Sequence, residues 1–137
     1  MPRRRAFTIL ELLFVIVTIG VLAAISISHF VETRFSAREK EVTGALAGMA
    51  RAQEGYRAAH GRYAATPAEL GYTLPTGITA TIGGAGLSSG TGWSAVAQHE
   101  GAPGLRCTIG IGADTVVEGR AVKPGVATCR RESGRPE

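Results

Sequence analysis

From Leu12 to Val31 the chain runs for twenty residues without Asp, Glu, Lys or Arg. As a helix, at about 1.5 Å per residue, such a run covers roughly 30 Å, the hydrocarbon thickness of a bilayer. Arg3, Arg4 and Arg5 precede it, and a basic flank of this kind is held on the cytoplasmic side. Past Val31 the pattern changes. Phe35, Val42, Ala45, Leu46, Met49, Ala52, Gln53 and Tyr56 recur at three- and four-residue steps, which marks one apolar face of an amphipathic helix. No proline falls between Ala6 and Ala65. The pattern therefore predicts one helix from about residue 7 to 59, half membrane-embedded and half amphipathic, its outer half laid on a small sheet. Met49 and Tyr56 belong to that core stripe. The charges at 38–41 read as a solvated face or as contacts between copies. Gly44 and Gly48, like Gly20 and Ala24, are small residues four apart, which either let helices approach closely or are simply tolerated.

Residues 60–77 read as a connector. Gly61 ends the helix, Thr66-Pro67 caps a short turn, and Pro75 stops it. Tyr63 and Tyr72 either meet neighbours or are buried beneath this loop. Alternating segments follow at 78–82, 93–97 and 105–111, separated by Gly/Ser-rich turns, with 115–118 as a short fourth strand or part of a loop. A helix followed by three or four antiparallel strands is an α+β arrangement. Trp93 is expected to anchor sheet to helix, His99-Glu100 to form an exposed turn, and the polar ending 130–137 to fray.

Glu11 is the odd residue of the apolar segment. A carboxylate near the start of a membrane helix costs up to about 2.5–3.5 kcal/mol, less close to the interface. A chain cut between Ala6 and Phe7 would gain an α-amino group four residues before Glu11, and the amine of one copy could meet the carboxylate of its neighbour. The competing reading is a signal peptide or signal anchor with a stray Glu. Against it, the apolar run exceeds the usual h-region of about 7–15 residues, and no A-x-A site follows it before the charged segment.

The stretch Arg3-Arg4-Arg5-Ala6-Phe7-Thr8-Ile9-Leu10-Glu11-Leu12-Leu13 resembles the class III signal of type IV pilins and type II secretion pseudopilins, closely over residues 3–27. It departs from the family in having Ala6 where Gly is usual and Ser28 where many members carry a Pro. The resemblance implies a leader at 1–6, a transmembrane and filament-core helix half at 7–31, and a headgroup at 32–137. Within the headgroup it implies a loop at 60–77 and a sheet with disulfide loop at 78–137. It further implies cleavage after Ala6 and methylation of Phe7 by a prepilin peptidase, an assembly role for Glu11, and a helical homo-oligomer built by an inner-membrane machine.

Composition adds little beyond this. The formal charge of +4 includes the three leader arginines; without them it is +1, which gives no reason to expect nucleic-acid binding from bulk charge. Arg106, Arg120, Lys123, Arg130 and Arg131 could still form a local basic patch. Cys107 and Cys129 suggest one disulfide in an exported domain, the alternative being two free thiols. His29, His60 and His99 are scattered, so no nucleophile–base pair and no metal spacing emerges, and no cofactor is expected. Asp114 and Glu118 are too few acids for a calcium loop. The leading expectation is a non-enzymatic filament subunit at the inner membrane and cell surface. A pseudopilin and a membrane-anchored, non-polymerising binding domain are the alternatives.

Overall fold

The computed structural model describes residues 7–132. Residues 1–6, residues 133–137 and the Ser28 side chain, on which several expectations fell, lie outside the described residues. The chain divides into two compact units, one reaching Ser36 and the other starting at Ala37.

The first element is α1, Ile9–His60, of 52 residues. Thr8 starts it: its hydroxyl accepts the Glu11 N–H at 3.3 Å and its carbonyl accepts the Leu12 N–H at 3.2 Å. Thr8-Ile9-Leu10-Glu11 is thus a capping sequence, with an acid in the first turn where the helix dipole favours it. The helix ends at Gly61, whose φ of +70° suits the left-handed stop and whose N–H bonds Arg57 O.

The second unit carries a four-stranded antiparallel sheet in the order β1-β2-β3-β6, formed by β1 Ile78–Gly83, β2 Gly92–His99, β3 Leu105–Gly112 and β6 Thr128–Arg131. Between β3 and β6 sits a two-stranded ribbon, β4 Val116–Val117 and β5 Arg120–Ala121. The architecture is α+β, a long helix packed on a four-stranded sheet. Residues 115–118, expected as a short strand or part of a loop, contain β4 of the separate ribbon, and the fourth strand of the main sheet is β6. One expectation is corrected. Arg130 and Arg131, placed in a frayed ending, are strand residues opposite Arg106 and Leu105.

Register sorts the side chains into two faces. One row is Ala80, Ala97, Cys107 and Cys129; beside it stand Ile82, Ala95 and Ile109. Against this side lie Val42, Ala45, Leu46 and Met49 of α1, all buried. The opposite face carries Thr79, Gln98, Arg106 and Arg130, then Thr81, Val96, Thr108 and Thr128. Trp93 is fully buried, with its ring 6.3 Å from that of buried Tyr63. Cys107 and Cys129 form a disulfide between directly opposed positions of β3 and β6.

Several polar residues lock α1 to the connector. Gln53, fully buried, donates to Ala64 O at 2.8 Å and accepts the Ala64 N–H at 2.9 Å. Glu69 accepts from Tyr56 Oη, Arg62 Nη2 and the Ala65 N–H, while Thr66 Oγ1 caps the Glu69 N–H. The Tyr72 hydroxyl donates to Ala45 O and occupies the space where a Gly48 side chain would begin. Gly48 therefore makes room for a residue of its own chain, while Gly44 faces open space.

The Glu69 network yields a pH prediction. The Ala65 N–H, the Tyr56 hydroxyl and Arg62 hold the Glu69 carboxyl down at about 2, from an ordinary 4.5. A depressed folded pKa contributes stability that is full above the unfolded value and is lost as pH falls. The second unit is therefore expected to lose stability between about pH 5 and pH 2, with a smaller loss in Glu69→Gln. Thermal midpoints at pH 7 and pH 3 read the difference; an unchanged slope in the variant would contradict the assignment.

Candidate functional site: an apolar helix surface and its carboxylate

In the first unit the helix is apolar on every side. Ile9, Leu10, Phe14, Ile16, Val21, Leu22, Ile27 and Phe30 are all exposed, Ile9 at 87%. A helix that is hydrophobic all round requires lipid or protein as its surroundings. Its most apolar 18-residue window reaches a mean hydropathy of 2.6, enough to cross a membrane by length and composition.

The polar side chains within the segment behave accordingly. Thr18 donates to Val15 O at 2.8 Å and Ser26 to Leu22 O at 2.9 Å. Thr33, just past the apolar run, donates to His29 O at 2.8 Å. Bonding back to the helix satisfies these hydroxyls without water. At the far end the Arg34 guanidinium lies 4.5 Å from the Phe30 ring centre, where the apolar stretch gives way to charge. Glu11 is exposed, and Phe7 beside the expected cleavage point is 74% exposed. Within one copy, the Glu11 N–H bonds the Thr8 hydroxyl. Ala6 lies outside the described residues.

No protein-family model matches the chain. It is, however, 33% identical over 76 residues to the type IV major pilin protein PilA of Myxococcus xanthus (strain DK1622), a match covering 56% of this chain. Over that stretch the chain is similar to a type IV pilin. The match spans about a third of the length of that relative, 34%. The long apolar helix fits a pilin, and so do the antiparallel sheet and the Cys107–Cys129 disulfide.

In the second unit, the structure draws some of the suspected basic residues together. Arg106, Arg120 and Arg130 line one groove of about 210 Å³ with Thr108, Thr128 and Cys129. Two of the three are neutralised: Arg106 pairs with Glu118 at 2.7 Å and Arg130 with Glu132 at 2.7 Å. Glu118 sits at φ 51° and Gly119 at φ 74°, the turn that closes a two-residue hairpin between Val117 and Arg120. Glu is a costly choice there, and the Arg106 pair is what its side chain gains from the position.

Asp114, considered as a calcium ligand, accepts instead from the Ala85 and Gly86 N–H groups, at 2.9 Å each, and holds the 84–91 loop. Among the described residues no group of three or more His, Cys, Asp or Glu is placed to hold a metal. His99 is a correction. It is 6% exposed, not on an exposed turn. Its Nδ1 accepts the Gly101 N–H at 2.8 Å, so the ring proton is assigned to Nε2, which faces Glu41 Oε2 at 3.0 Å. Arg38 completes this cluster through Glu41 at 2.8 Å. The charged pair at 38–41 thus has partners on its own chain.

Proposed function

We propose that this chain is a structural subunit of a type IV pilus filament, anchored in the inner membrane before assembly and displayed at the cell surface afterwards. The observation that carries the reading is a helix apolar all round from Ile9 to residue 31 with one carboxylate, Glu11, in its first turn. A relative named as a major pilin supports it.

In this scheme a prepilin peptidase removes residues 1–6 after Ala6 and methylates the Phe7 amine. Residues 7–31 wait in lipid, and residues 32–137 form the headgroup. An inner-membrane assembly machine then stacks the copies. Their apolar helices bury one another, and Glu11 of one copy meets the Phe7 amine of the next. A charge left unpaired inside such a bundle is strongly unfavourable, so the pairing register is preferred. The headgroup has a structural role.

The test is mass spectrometry of appendages sheared from cells that make the chain, together with microscopy of the same fraction. The expected result is filaments whose main component begins at a methylated Phe7. Recovery of the chain only from membranes, still starting at Met1, would overturn the reading.

A further inference from the structure

The turn that joins β2 to β3 is held by a titratable side chain. His99 closes β2, and its Nδ1 accepts the Gly101 N–H, two residues on, at 2.8 Å. In turns this bond is commonly made by the side-chain oxygen of Asn or Asp, which bonds its own backbone two residues on. Three main-chain bonds complete the turn: Glu100 N–H to Gly77 O at 2.9 Å, Ala102 N–H to His99 O at 3.0 Å and Leu105 N–H to Ala102 O at 3.0 Å. Ala102 is folded inward, while Glu100, Gly101, Pro103 and Gly104 stay at the surface.

Both nitrogens of the buried ring are engaged. Nε2 is the donor and faces Glu41 Oε2 of α1 at 3.0 Å, an oxygen that Arg38 also reaches at 2.8 Å. The Arg38 guanidinium stands 3.4 Å from the same Nε2. Within the turn, Glu100 is exposed, and Gly77 ahead of β1 brings no charge. Arg38 holds the Glu41 carboxyl below its ordinary value, so it stays ionised while an imidazole titrates. The ring is closely flanked: a Cβ on Gly77 would stand 3.3 Å from its Cε1, and one on Gly101 3.2 Å. That packing opposes turning the ring over to offer the other nitrogen.

A proton taken up by this ring therefore has one place to go. Nε2 already carries one, so the second settles on Nδ1, which then turns a donor toward the Gly101 N–H donor. The charged ring keeps Glu41, with Arg38 opposing it, and loses its acceptor for Gly101. We infer that His99 is a proton-operated catch on the β2–β3 turn: neutral, it fastens Gly101; charged, it stays on α1 through Glu41 and lets residues 100–104 open. Imidazoles change charge between about pH 8 and pH 5, above the window in which Glu69 acts. The exposed surface of this turn thus loosens in mild acid while the sheet beneath it stays formed.

The test is amide exchange and nitrogen NMR on the full chain in detergent, from about pH 8 to pH 5, with His99→Asn as the comparison. Asn offers an oxygen to the same Gly101 N–H and does not titrate. In the parent, protection of the Gly101 amide, corrected for the intrinsic pH dependence of exchange, is expected to fall roughly tenfold on acidification, the scale of one lost hydrogen bond. The Val96 amide, in the middle of β2, should show no such fall, and in His99→Asn the Gly101 protection should be flat. The imidazole nitrogen shifts should place the proton on Nε2 at the alkaline end and on both nitrogens at the acid end, a reading that needs no variant. Flat protection in the parent, an equal fall in His99→Asn, or a proton on Nδ1 at the alkaline end would overturn the inference.

Discussion

A Glu11→Ala chain is expected to enter the membrane as well as its parent and to yield fewer filaments by about two orders of magnitude or more. The size follows from the asymmetry of buried charge: a pair is tolerated, but removing one partner leaves the other uncompensated in an apolar bundle, and each 1.4 kcal/mol is a factor of ten. The geometry at the start of α1 supplies a rival explanation, since Glu11 also occupies the third helical position after the Thr8 cap. Glu11→Gln separates the two. Glutamine satisfies a capping sequence as well as glutamate does, yet carries no charge. Assembly restored by Gln would assign Glu11 to the cap; assembly lost with both Ala and Gln would assign it to the neighbouring amine. Membrane fractionation and sheared-filament yield, measured on the same cells, give both readouts.

Replacing Cys107 and Cys129 together by Ser is expected to lower headgroup stability by roughly 3 kcal/mol, from the entropy of a loop spanning 22 residues. The effect should be a true destabilisation, because the bond ties β6 to the sheet. β6 is paired only to β3 and brings little else to the core. Chemical denaturation of the oxidised protein and the double variant measures it. A difference below about 1 kcal/mol would mean that β6 is held by its ladder alone.

What the amino-acid pattern revealed, and what it hid, follows from how each element is stabilised. The helix and β1, β2 and β3 were legible because their burial leaves a periodic trace: Val42, Leu46 and Met49 on one side of α1, Ala95 and Ala97 alternating along β2. β6 was not legible. Thr128-Cys129-Arg130-Arg131 has no apolar alternation, and a disulfide and a neighbouring ladder hold it in place. The connector was read as a loop, but the groups that fix it, Gln53 on α1 and Glu69 within the turn, act through hydrogen bonds between residues far apart in sequence. Gln53 fell on the apolar face, the one signal that it is buried. His99 looked exposed because glycine and charge surround it; the structure instead places Glu41 and Arg38 of α1 beside the ring. The Thr8 cap leaves only a Thr-x-x-Glu spacing, a weaker signal than the apolar run that follows it.

The enclosure of Cys107, with none of its surface open to solvent, has a kinetic consequence. A reducing agent arriving from the groove meets Cys129, which is half-buried there, and the sulfur it must expel is Cys107 in the core. A leaving thiolate released into an enclosed apolar site is costly, so reduction of the folded chain is expected to be slow and to quicken when β6 opens.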